Sequence, residues 1–219
     1  MNAASQPGSS FQTLLAYGDS TLNNTGRFEL YRNTAGNLVF ELRMQSNTVH
    51  NISTGGAAVF DGNWHYITAT YNRDSRTMRL YVNGTQMAIR DSSSIGNTTD
   101  AKTPRTVTGA MAIGAIPGGA NGITGKMDEV RFHARELSVS EIATLKNTTS
   151  TCASSSTVLS WDLNQGGWSG AANEVIDFSG NSLHGRTFNG VLASSTSPAL
   201  SGDPGTCAFA QFNGSNRYV

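Results

Sequence analysis

Apolar and polar residues alternate along much of the chain, and short runs of Gly, Asn and Asp interrupt the alternation. In Asn37–Met44 (NLVFELRM), Leu38, Phe40, Leu42 and Met44 fall on one side of an extended strand, because successive side chains point to opposite faces. Arg27–Tyr31 (RFELY) alternates likewise, and the intervening RNTAGN carries the Gly and Asn that suit a hairpin connection. Glu29 and Glu41 lie on the polar phase of these two strands and read as solvated positions. His65–Asn72 predicts another strand, NRDSR a polar turn, and Thr77–Val82 a strand with Met78, Leu80 and Val82 on one face. Asn83-Gly84 is a strong hairpin signal, because both residues tolerate positive φ, and Gln86–Arg90 forms the returning strand.

The second half is less regular. Asp91–Arg105 is polar and reads as a long loop, Val107–Ile113 as a short strand, and PGGANG as a turn. Lys126–His133 (KMDEVRFH) reads as one strand. Leu137–Asn147 is the single convincing helix, with Ser138 as N-cap and Glu141 three residues later completing a capping box. NTTSTCASSST reads as a linker. Beyond it VLSWDLN, RTFNGVLAS and CAFAQFNGSNRYV each predict a strand, and the WSGAANEVIDFSGNSLHG segment is mostly loop. No fixed-period repeat is present. Many short strands, one short helix and long polar loops predict an all-β antiparallel sandwich.

Composition narrows the function classes. Of 219 residues only 14% are charged, and 15 basic residues balance 15 acidic ones. A balanced chain without a Lys/Arg run lacks the basic face that neutralises nucleic-acid phosphates, so no nucleic-acid partner is expected. No apolar run approaches a membrane span, and the first residues lack the charged and apolar pattern of a signal peptide. The neutral, hydroxyl-rich composition is that of extracellular or cell-surface β proteins. Cys152 and Cys207 are too far apart for a CxxC site; a disulfide between them is the expectation outside the cell, and two small buried thiols the alternative in the cytosol.

NWHYITATYNRDSRTMRLYVNGTQ resembles the central hairpin of laminin-G-like domains, with its Trp-His entry and "LYV-(D/N)-G" exit. GKMDEVRFHARELSVSEIATL resembles the strand and helix near the end of such domains. DFSGNSLHG and AFAQFNGSNRYV, in contrast, resemble the opening of the same family. The resemblance implies a concanavalin A-like jelly-roll β-sandwich of antiparallel strands with one short helix. It also implies that the family's usual order is permuted or fragmentary here. Residues 1–149 match the central and C-terminal parts, and residues 150–219 a linker plus N-terminal strands. The tail is expected to complete the same sandwich, since closely spaced termini permit permutation; two partial domains of a tandem array are the alternative. A weaker resemblance links the tail to tandem domains of bacterial surface proteins, including MSHA-type pilus biogenesis proteins.

On a continuous strand Asp128 shares its face with Val130 and Phe132, which points it inward, and an inward carboxylate needs a partner or a metal. DFSGN offers further oxygens. Asp128, Asp177 and Asn181, with backbone at Gly180 and Gly185, are therefore the expected ligands of a structural calcium ion, which the resemblance also suggests. The plainer alternative is an Asx turn at DFSGN. Trp64-His65 reads as a structural plug; no HExxH, GxSxG or suitably placed carboxylate pair is evident, so no catalytic residues are expected. The sequons at Asn51, Asn83 and Asn147 carry no inference in a chain so rich in Asn, Ser and Thr. The expected function is a non-catalytic recognition or adhesion module for carbohydrate or a cell-surface protein, with Tyr17, Tyr31, Tyr71, Tyr81 and Trp168 as candidate contacts. A ligand-free spacer in a bacterial surface or pilus-associated protein is the alternative, and a polysaccharide-active enzyme is a third reading.

Overall fold

A computed structural model describes residues 1–4, 11–18, 28–56, 59–91, 93–147, 156–194 and 209–219; the Cys152–Cys207 pairing lies outside them. Among the described residues, nine strands precede the first helix: β1 (Asn2–Ala4), β2 (Gln12–Gly18), β3 (Phe28–Arg32), β4 (Leu38–Arg43), β5 (Val49–Ser53), β6 (Asp61–Trp64), β7 (Ile67–Asn72), β8 (Thr77–Val82) and β9 (Thr85–Arg90). They are followed by α1 (Thr99–Lys102), β10 (Ala110–Ile113), β11 (Thr124–Met127), β12 (Val130–His133) and α2 (Val139–Lys146). The tail adds β13 (Thr157–Trp161), β14 (Leu192–Ser194) and β15 (Phe209–Asn213). Every strand pair is antiparallel.

One five-stranded sheet runs β14-β15-β11-β1-β6 and a second runs β10-β2-β3-β4-β5; β7-β8-β9 and β12-β13 form smaller sheets. The tail is woven into the rest, with β15 pairing with β11 and β13 with β12. One core cluster takes Leu38, Phe40, Leu42, Met44, Met78 and Leu80 from the first half, and Trp161, Leu163, Val175 and Phe212 from the tail. The alternation that predicted β4 and β8 is what fills this core, since Leu38, Phe40 and Leu42 of β4 and Met78 and Leu80 of β8 are every second residue of their strands. Two glycines permit the closest approaches. A Cβ at Gly114 (φ +86°) would stand 2.1 Å from the Phe212 ring, and one at Gly125 would stand 2.5 Å from the Asn2 carbonyl oxygen.

The β3–β4 hairpin closes as its turn chemistry predicts: Asn33 N–H donates to the Asn37 carbonyl at 3.0 Å, and Gly36 adopts φ +83°. Asn83 and Gly84, both at positive φ, turn β8 into β9. Helix α2 has the predicted capping box, with Glu141 N–H donating to Ser138 Oγ at 3.2 Å and Ser138 N–H to Glu141 Oε2 at 2.8 Å. It buries Ile142 with Leu137 against Tyr81, on the side of β8 that faces away from Met78 and Leu80.

Several elements differ from the sequence reading. KMDEVRFH is two strands, because Glu129 turns the chain with φ +54°. Met127 consequently pairs with Ala210 in one sheet and Val130 with Trp161 in another. The short α1, capped by Thr98, lies within the segment read as loop. RTFNGVLAS forms a strand only at Leu192–Ser194, preceded by an isolated bridge between Phe188 and Tyr218.

Candidate functional site

The expected calcium ligands fall into two places. Asp128 lies at the break between β11 and β12, where its Oδ1 accepts from Glu129 N–H at 2.9 Å. The continuous strand that carried the inference is absent, and Asp128 is half-buried, with its charge acting on the buried Met1 amine. Asp177 bridges to Trp161 on the far side of β13 from β12, so β13 runs between Asp128 and Asp177.

Asp177 and Asn181 do share a loop, and hydrogen bonds hold it. The buried Asp177 carboxylate accepts from Ser160 N–H (2.9 Å), Ser179 N–H (2.9 Å), Ser179 Oγ–H (2.7 Å) and Leu183 N–H (3.0 Å). Burial alone would raise its pKa, but these donors outweigh burial and hold it below the usual carboxylate value. Asn181 Nδ2 donates to the carbonyls of Thr157 (3.2 Å) and Val158 (2.9 Å). Gly180 turns at φ +89°, and the Gly185 carbonyl accepts from Val175 N–H at 3.1 Å. A Cβ at Gly185 would meet Trp161 and Val219 at 3.1 Å. This donor-filled arrangement fits an Asx turn that pins the tail loop to β13, and it does not fit a cation cage.

Most of the aromatic candidates are occupied structurally. Tyr81 is buried under α2, Tyr71 Oη donates to the Lys102 carbonyl at 2.6 Å, and Trp168 packs against the core. The Trp64 ring meets Phe209 edge-on at 5.6 Å. His65 Nε2 lies 2.8 Å from Asp61, and its carbonyl accepts from the Met1 amine at 2.9 Å. Tyr17 leans on Phe28, and Tyr31 stands half-buried among polar groups on a sheet face where Thr13, Ala16, Val39 and Ala112 are buried.

That face is the side of the β10-β2-β3-β4-β5 sheet turned away from the core. Register places Ala112, Ala16, Glu29, Glu41 and Asn51 directly opposite one another across its five strands. A neighbouring row contains Thr13, Tyr31, Val39 and Ser53. Thr13 Oγ1–H donates to Glu29 at 2.6 Å, and Tyr31 Oη–H points to Glu41 at 3.4 Å. Phe11, 48% exposed, tilts against Tyr31 with ring centroids 5.7 Å apart.

Glu29 and Glu41 are thus a cross-strand carboxylate pair and not solvated positions. Burial raises Glu29 to about 7; the Thr13 hydrogen bond opposes this and the charge of Glu41 adds to it. Burial also raises Glu41, against the opposing effects of Arg43 and the Tyr31 hydroxyl. The same burial, with both carboxylates nearby, raises the Tyr31 phenol. The signal was present in the hairpin: a turn centred on Ala35 makes each pair of partners sum to 70, as 29 and 41 do.

At Asn51 the row meets a shallow, wide-open depression of about 510 Å³ between β5 and β9. Asn51, Ser53, Arg90, Asp91 and Ser94 line it together with Ile89, which is 51% exposed. Arg90 Nε–H donates to the Asn51 carbonyl at 3.2 Å, and Ser93 N–H and Oγ–H hold the Asp91 carboxylate, depressing its pKa. Groove and row together present amide, hydroxyl, guanidinium and carboxyl groups beside apolar carbon.

No curated protein matches the sequence. Among solved structures, a candidate carbohydrate-binding protein of Bacteroides ovatus superposes with TM-score 0.52 at 18% identity, covering 99% of this chain and 56% of that one. The chain thus spans little more than half of that relative. The CBM40 of the Ruminococcus gnavus IT-sialidase aligns with TM-score 0.49 at 20% identity, over 64% of this chain and 77% of its own. A SAP-like pentraxin from Limulus polyphemus aligns with TM-score 0.45 at 15% identity, over 63% and 64%. The sequence itself matches the laminin-G family model across residues 3–143, well over half its length. With the sandwich, the capped helix and this match together, the chain belongs to the concanavalin A-like lectin/glucanase superfamily.

Proposed function

We propose that this chain is a non-catalytic carbohydrate-binding module that works outside the cell, and that the sugar lies along the Glu29–Glu41–Asn51 row and in the adjoining groove. The observation that carries this reading is the continuity of the two. Hydrogen-bonding side chains line up across β3, β4 and β5 and end at a shallow groove with a polar wall and the exposed carbon of Ile89. Sugars offer hydroxyls to such donors and acceptors and C–H faces to such carbon; a few placed polar groups in a partly apolar cleft is the usual character of a ligand site. The likeness to the B. ovatus protein supports the reading. We also take residues 1–149 and 150–219 to form one permuted sandwich, which the β12–β13 and β11–β15 pairings support.

The test is binding to a panel of immobilised oligosaccharides by the wild type and by Arg90→Ala and Asn51→Ala. Retention on at least one glycan, weakened about tenfold or more by either substitution, is expected. Equal binding by all three proteins would remove the site from this face. The opposed glutamates favour one other reading, glycoside cleavage, which uses two carboxyl groups about 5–9.5 Å apart. Release of reducing ends from a retained glycan would replace binding by turnover.

A further inference from the structure

The carboxylate pair also bears on how the face is regulated. Directly opposed residues of an antiparallel pair have Cβ atoms about 4.5–5.5 Å apart, and like charges there repel. Glu29 and Glu41 occupy such positions, both partly buried. Around them, β2 supplies Thr13 and Ala16, β3 supplies Tyr31, β4 supplies Arg43 and β5 supplies Asn51. Among the described residues Arg43 acts on Glu41, and the Thr13 hydroxyl and Glu41 act on Glu29. His50 faces the other side of β5, opposite Leu42 and near Arg90. Two partly buried carboxylates facing each other, with a cation beside one of them among the described residues, hold a proton more readily than two isolated ones.

We propose that Glu29 and Glu41 share one proton in the folded protein at neutral pH, and that this proton makes sugar binding at the face pH-dependent. With the proton in place, the pair offers one donor and a set of acceptors, suited to an uncharged polyhydroxyl sugar. When the proton leaves, two facing negative charges strain β3 against β4 and repel any carboxylate-bearing sugar. The ligand half of this proposal rests on the carbohydrate reading above; the proton half does not.

The experiment is chemical denaturation from pH 5 to pH 8 of the wild type, Glu29→Gln and Glu41→Gln. Gln copies the shape of the protonated acid and cannot lose the proton. A carboxyl group raised on folding contributes stability below its unfolded pKa that is lost as pH rises through its folded value. The buried Met1 amine, lowered chiefly by burial, acts in the opposite direction. The readout is therefore the difference between each variant and the wild type, in which that contribution cancels. Between pH 5 and pH 8 the folding equilibrium of Glu29→Gln is expected to gain about 10- to 100-fold on the wild type. A constant difference across the range would overturn the shared proton. Should the Gln variants fail to fold, the side-chain carboxyl ¹³C shifts of the wild type decide: one Glu titrating near neutrality supports the pair, and all titrating in the ordinary range overturns it. For the ligand half, affinity for a retained neutral glycan should fall severalfold from pH 5 to pH 8 in the wild type and stay flat in Glu29→Gln. Identical pH profiles would overturn that half while leaving binding itself in place.

Discussion

Asp177→Ala removes the acceptor around which the tail loop is built. In the wild type, Asp177 takes four hydrogen bonds, and the Ser160 N–H that donates one of them belongs to a residue only 5% exposed in β13. A buried donor left without a partner costs about 1–3 kcal/mol, whereas the donors nearer the surface turn to water and lose less, about 0.5–1 kcal/mol each. The sum is about 2.5–6 kcal/mol, which at this chain length lowers the melting midpoint by about 5–24 °C. Urea denaturation followed by tryptophan fluorescence is the assay, since Trp161 Nε1–H donates to the Leu183 carbonyl at 3.0 Å and reports directly on the loop. Because folding lowers the pKa of Asp177, its contribution is present above the unfolded carboxylate value and is lost as pH falls through the folded one. The gap between variant and wild type should therefore close in acid. A loss under about 1 kcal/mol at neutral pH, or a gap that persists in acid, would refute the role of the carboxylate as the anchor of the loop.

Three other expectations follow from named contacts. Gly114→Ala combines a positive-φ backbone with a Cβ driven into the Phe212 ring, and should cost about 3 kcal/mol or prevent folding, read by the same denaturation. Ser138→Ala removes the helix cap and should cost about 1 kcal/mol. Calcium should leave the melting midpoint unchanged relative to EDTA, because the Asp177 oxygens already meet four donors; a midpoint that climbs with calcium would restore the ion site.

Local pattern gave much of the sandwich. Alternation identified β3, β4, β7 and β8, the Asn-Gly turn joined β8 to β9, and the Ser138–Glu141 spacing defined the start of α2. The break at Glu129 was not legible, since the alternation of KMDEVRFH runs through it and only pairing with two different sheets demands a turn there. Strands β1, β2, β5 and β6 also escaped: three are short, and their pairing is set by partners far along the chain. The candidate face was missed for a different reason. Each glutamate taken alone sits correctly on a polar phase. Their proximity follows from hairpin register, and their burial from tertiary structure that no local window contains.

Sugar binding at this face is tested most directly by chemical-shift mapping of the ¹⁵N-labelled protein titrated with the best-retained oligosaccharide. Perturbed amides are expected along Glu29, Tyr31, Glu41 and Asn51 and around Ser53, Arg90 and Ser94 in the groove. Perturbations centred on α2, or on the Phe188–Tyr218 stack at the tail, with this face unmoved, would contradict binding there.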